Sequence, residues 1–105
     1  MEDSLQRAMA VFRNPYNCAQ TVCHAFDRAD LLEPMQTCAR GNAPGGLCGA
    51  LYGATQVAPE HAEAIKAAFA ARNGALTCRE LKAAGKVPCP VCVRTAVELL
   101  NGLGF

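Results

Sequence analysis

Seven cysteines in 105 residues are the feature of this chain most able to do chemistry. A thiol becomes a nucleophile or a metal ligand once it is deprotonated. The first turn of a helix favours that step, because free N–H groups and the positive end of the dipole face the sulfur. Hydrophobic spacing and turn residues place Cys18, Cys48, Cys78 and Cys89 in, or at the edge of, the first turn of a predicted helix. Four such N-termini, if they converge, would offer N–H donors to an anionic centre such as an iron–sulfur cluster or a thiolate-bound metal. Cys23, Cys38 and Cys92 do not share this placement so clearly.

Cys48 lies in Gly45-Gly46-Leu47-Cys48-Gly49-Ala50-Leu51-Tyr52-Gly53. On its own the stretch reads as a tight loop-to-helix junction with a buried cysteine. Gly49 and Gly53, four apart, would clear one helix face for another backbone or a cofactor. Cys89-Pro90-Val91-Cys92 is a CxxC, a metal half-site or a redox dithiol. A thioredoxin-like reading needs a preceding strand, which is missing, and a c-type haem needs His where Val93 stands. Cys92 reads equally as a small core residue on an apolar stripe with Ala96 and Leu99.

The remaining candidates read more plainly. Cys23 has no partner at zinc-finger spacing and belongs to the core. His24 and His61 read as surface or interface residues. Cys38, just before the glycine loop, is placed to approach Cys48, and Tyr52 to pack beside the site. No Asp/Glu pair suggests acid–base catalysis.

The elements that must position these thiols are short helices. Leu5, Ala8, Met9 and Phe12 repeat at helical spacing after Ser4. Asn14 as N-cap and Pro15 at the first position start a second helix to about Phe26. Residues 35–40 form a short helical turn, and 41–46 a glycine loop. A third helix runs from about Leu47 to Val57 and a fourth from Pro59 to Arg72, stopped by Asn73-Gly74. Thr77 and Glu80 form a capping box for a fifth helix, to Ala84 with Gly85 as its stop. Pro90 at the first position opens the last, to about Asn101. No strand alternation occurs. The expected fold is all-α: one domain over 1–105, a compact bundle of five or six short helices.

Composition narrows the function classes. The chain is 51% hydrophobic and 18% charged with net charge +1, which excludes disorder and favours neither nucleic acid nor an anionic membrane. No run approaches the ~20 apolar residues of a membrane span, and the acidic N-terminus carries no export signal. The expectation is therefore a cytoplasmic protein, not membrane-embedded. An odd cysteine count in that setting points to metal binding or thiol chemistry rather than a disulfide framework.

The four helix-start cysteines, together with Cys48-Gly49-Ala50-Leu51-Tyr52-Gly53, resemble the small redox-active family named for its C, CGAxxG, C, C pattern. Asn17-Cys18-Ala19-Gln20 is similar to its opening element, Cys78-Arg79-Glu80-Leu81 to its third and Cys89-Pro90-Val91-Cys92-Val93-Arg94 to its last. The likeness spans about Phe12 to Leu100. It implies a helical domain with a four-cysteine site, often encoded near transporters. A similar domain occurs joined to a split-Soret multihaem cytochrome, where an iron–sulfur site has been suggested. This chain departs from the pattern in having only ten residues between Cys78 and Cys89 and three further cysteines.

Three readings follow. The favoured one is an electron-transfer protein with an iron–sulfur cluster on Cys18, Cys48, Cys78 and Cys89, with Gly49, Gly53 and Cys92 secondary. The second is a metal-free thiol oxidoreductase, or a sulfur or selenium carrier linked to a transporter. The third is a structural zinc module. Four-cysteine cluster and four-cysteine zinc share one ligand set, and neither the redox partner nor the oligomeric state is legible.

Overall fold

The computed structural model describes residues 2–38, 42–85 and 87–105, with the backbone alone at Glu2, Asp3, Ala84 and Gly85. Among these residues six α-helices follow one another: α1 (Glu2–Val11), α2 (Cys18–Ala25), α3 (Gly49–Val57), α4 (Ala62–Asn73), α5 (Cys78–Glu80) and α6 (Cys89–Gly102). Short 3-10 turns lie between them, and α5 runs on as a π-turn over Leu81–Gly85. The described residues contain no strand, only isolated bridges between Phe12 and Tyr16 and between Leu47 and Thr77. The all-α bundle is therefore as expected. Its radius of gyration of 11.9 Å is near the roughly 13 Å of a compact hundred-residue domain.

Helix α3 is the hub. Gly49, Ala50, Leu51, Gly53, Ala54, Thr55 and Val57 are all buried, as befits a helix surrounded by others. It packs most extensively on α2, and also against α4 and α6. Leu51, Phe69, Ile65, Leu81, Leu100, Val22, Val93 and Val97 fill the centre, with buried alanines between them. Each large apolar side chain so buried contributes about 1.5–3 kcal/mol relative to exposure. Small residues set how closely α2 and α3 approach. A β-carbon at Gly53 would stand 2.8 Å from the Ala19 carbonyl oxygen, so only glycine fits that crossing.

Several boundaries differ from the sequence expectation. The second helix begins at Cys18, capped by Asn17 rather than Asn14. Asn17 Oδ1 accepts from the Gln20 amide at 2.8 Å, and Gln20 Oε1 accepts from the Asn17 amide at 3.2 Å. That reciprocal box fixes the first turn and leaves the cis Asn14-Pro15 peptide in the turn before it. Helix α3 starts at Gly49 rather than Leu47, because Leu47 pairs with Thr77 and the Cys48 amide donates to Leu76 O at 2.9 Å. The helical turn expected at 35–40 is a 3-10 turn at Pro34–Thr37; its end at Ala39 and Arg40, and Gly41 of the loop, lie outside the described residues. In α6 the first residue is Cys89 and Pro90 the second. The Asn73-Gly74 stop is as expected, with Gly74 left-handed at φ 88°.

Candidate functional site

Three local arrangements carry the cysteines to one end of the bundle. The capping box holds Cys18 as the first residue of α2. The pairing of 47–48 with 76–77 sets Cys48, N-cap of α3, beside Thr77, whose Oγ1 accepts from the Glu80 amide at 3.2 Å and so starts α5 at Cys78. Lys82 then reaches across the following turn, donating to Val87 O at 3.2 Å and to Cys89 Sγ at 3.0 Å. As a result Cys18, Cys48, Cys78, Cys89 and Cys92 line one small cavity with Gly49, Leu81 and Lys82. Cys18, Cys48 and Cys92 are buried, while Cys78 and Cys89 are partly exposed.

The thiols are not equivalent. The neighbouring Cys92 thiol, helped by the Leu51 and Ala50 amides and by Lys82, brings the Cys48 pKa down to about 7 against the opposing effect of burial. The amides act as partial charges, since neither makes a strict capping hydrogen bond to the sulfur. Cys92 is correspondingly held as the thiol, its pKa raised by the neighbouring Cys48 and by burial. Burial first, then the charges of Cys48 and Cys89, pushes Cys18 up to about 11. Cys78 is raised for the same reasons. Lys82 holds its proton more tightly because of its hydrogen bond to Cys89. Cys48 is thus more readily ionised than Cys18, Cys78 and Cys92, and the Lys82 ammonium lies close by.

Other candidates fall elsewhere. Gly53 clears the way for the α2 backbone at Ala19, the first of the two roles its spacing allows, and is not among the residues lining the cavity. Cys38 is not among the residues lining the cavity; its thiol donates to Pro34 O at 3.6 Å, within the 3-10 turn it follows. Cys23 is fully buried in the core, and burial drives its pKa up to about 12. Tyr52 packs against the core without lining the cavity. His24 is half-buried against the Tyr16 ring and His61 against Phe105. Lys82 is the site residue that sequence reasoning missed. Its position four residues after Cys78, one helical turn on, was the available signal.

Five thiols are the donor chemistry of iron–sulfur and zinc sites. The enclosed space, however, is about 20 Å³, room for about one water molecule. A cluster of several irons and sulfides would require the thiols to spread. Among the described residues no three Cys, His, Asp or Glu side chains are disposed to hold a metal ion. The arrangement as it stands is suited to sulfur–sulfur chemistry.

Comparisons with protein-family models, with curated proteins and with solved structures find no match to this chain. No described helix is long and apolar enough to cross a membrane.

Proposed function

We propose that this chain is a thiol redox protein whose centre passes two electrons by making and breaking a Cys48–Cys92 disulfide. The observation that carries this reading is that Cys48 and Cys92 line one small cavity together with three more thiols. Cys48 supplies the nucleophilic thiolate and Cys92 the thiol that loses its proton as the bond closes. The two electrons go to the disulfide of a small molecule or partner protein, which leaves as thiols. Exchange with the exterior runs through Cys89, partly exposed and three residues before Cys92 on α6. Seven free thiols suit a reducing compartment such as the cytoplasm.

A separate observation favours a second reading. The four cysteines of the family resemblance come from four separate chain segments and share the cavity. An iron–sulfur cluster on Cys18, Cys48, Cys78 and Cys89 would supply one-electron transfer. The chain's own part would be the four thiolates, the amides behind Cys48 and the Lys82 ammonium. Zinc on the same thiolates would serve as a staple for a small core.

Anaerobically purified protein divided into two portions tests these readings. One portion is titrated in a thiol–disulfide redox buffer and its cysteines mapped by mass spectrometry. The expected result is a two-electron couple whose oxidised form links the Cys48 and Cys92 peptides. The other portion is offered ferrous iron with sulfide, or zinc. Stoichiometric iron and sulfide with cluster absorption, and no thiol couple, would replace the first reading by the second. Stoichiometric zinc without any redox response would leave a structural module.

A further inference from the structure

Outside the thiol cavity lies an open groove of about 490 Å³, within the range of small-ligand sites. Cys18 and Cys89 line both the groove and the cavity, so the groove ends on sulfur. Its other wall is the turn before α2, with Phe12, Arg13 and Tyr16. This turn is tightly determined. The Arg13 amide donates to Tyr16 O at 2.6 Å, and the Asn14 and Tyr16 amides both donate to Val11 O. Arg13 is held at φ 67°, a left-handed conformation that non-glycine residues rarely adopt and that is concentrated at binding and catalytic sites.

The side chains on that wall are available to a ligand. The Arg13 guanidinium lies 4.9 Å from the Phe12 ring centroid and has no acidic partner among the described residues. The Tyr16 hydroxyl makes no hydrogen bond among the described residues. Asn17, by contrast, is fully used, capping α2 and donating to Met35 O and Gln36 O. No acidic side chain lines the groove. A planar guanidinium above an aromatic ring, with a hydroxyl nearby, matches a carboxylate. Sulfur at the far end calls for a sulfur electrophile.

We infer that this groove binds a small carboxylate-bearing disulfide, which Arg13 holds while Cys89 exchanges with it. The inference rests on the thiol redox reading above. Cys89, as thiolate, attacks one sulfur of R–S–S–R. The S–S bond breaks, one R–S⁻ leaves and takes a proton from solvent or Lys82, and a Cys89–S–S–R mixed disulfide forms. Cys92 attacks the Cys89 sulfur as its proton passes to the departing R–S⁻, which leaves as the second thiol, and Cys89–Cys92 forms. The Cys48 thiolate then attacks Cys92, forming Cys48–Cys92 and freeing Cys89. Two protein thiols are oxidised and one disulfide is reduced to two thiols.

The test uses the reduced full chain and three probes. Oxidised glutathione is the carboxylate-bearing disulfide, hydroxyethyl disulfide its neutral counterpart, and S-methylglutathione a thioether that binds without exchanging. The expected result is exchange about tenfold faster with the anionic disulfide, an advantage of the size one well-placed charge confers. Arg13→Ala removes that preference, whereas Lys66→Ala, an equal charge change on the α4 surface, keeps it. S-methylglutathione shifts the amide NMR signals of residues 12–18 in the parent and not in Arg13→Ala. Equal rates for the two disulfides, or thioether shifts elsewhere, would overturn the inference while leaving the thiol reading intact. Thioether binding at 12–18 without exchange of either disulfide would overturn the exchange step and the thiol reading together, leaving only an anion groove.

Discussion

Gly53 faces the Ala19 carbonyl oxygen so closely that a β-carbon would stand 2.8 Å from it. This crossing of α3 over α2 brings the first residue of α2, Cys18, beside the N-cap of α3, Cys48. Relief must come from backbone, since the obstructing atom is a carbonyl oxygen and not a flexible side-chain end. Gly53→Ala is expected to destabilise the fold by about 1–3 kcal/mol and to loosen the cysteine cavity. Urea unfolding checks the first effect, and faster alkylation of Cys18 the second. Unchanged stability would show that the helices part without cost.

The Cys92 thiol is the main influence lowering the Cys48 pKa to about 7, against burial that raises it. Removing that thiol leaves burial less opposed, so Cys92→Ala is expected to move the Cys48 ionisation upward and to reduce its thiolate fraction at neutral pH. Site-resolved alkylation followed against pH by mass spectrometry reads this directly. A midpoint unmoved by the substitution would mean that Cys92 does not act on the Cys48 ionisation.

Lys82 donates to Cys89 and also favours the Cys48 thiolate. Between exposed groups such a contact is worth about 0.2–1 kcal/mol, an effect of up to about fivefold. Lys82→Gln is expected to slow disulfide exchange by about that factor at neutral pH, with partial recovery in Lys82→Arg. Circular dichroism should show helicity retained in both. Equal rates in Lys82→Gln and the parent would make the lysine a spectator.

Thr21, on α2, is fully buried, and its hydroxyl has no hydrogen-bond partner among the described residues. Thr21→Val keeps the shape and removes the desolvated polar atom. The expected outcome is stability unchanged or raised by about 1 kcal/mol, measured by thermal or urea unfolding. A loss of more than that would reveal a partner, such as an ordered water, for this hydroxyl.

Much of the helical framework was readable from short-range rules. Gly74 ends α4, and Thr77 caps α5 through the Glu80 amide, because both features depend on residues within one turn. The start of α2 was misread for a related reason. Asn14-Pro15 and Asn17-Cys18-Ala19-Gln20 both carry capping signals, and the choice fell to the box closed by Gln20, whose side chain also donates to Leu32 O at 2.8 Å. Cys38 lies off the cavity lining, its thiol spent on Pro34 O in the 3-10 turn it follows. Gly53 was correctly seen as clearance, but whether a backbone or a cofactor filled it is a question of which helix lies opposite.

By itself the sequence determined an all-helical chain with thiols at or beside four helix starts, since caps, periodicity and glycine stops act over one or two turns. Only the tertiary structure decided which sulfurs meet. It brought Cys92 and Cys48 to one cavity and Lys82 onto Cys89, left Cys23 and Cys38 off its lining, and turned Arg13 and Tyr16 toward the outer side of the same centre. The physical reason is range. A helix start favours a thiolate wherever it lies, but a sulfur finds a sulfur only through the packing of α2, α3, α5 and α6 against one another.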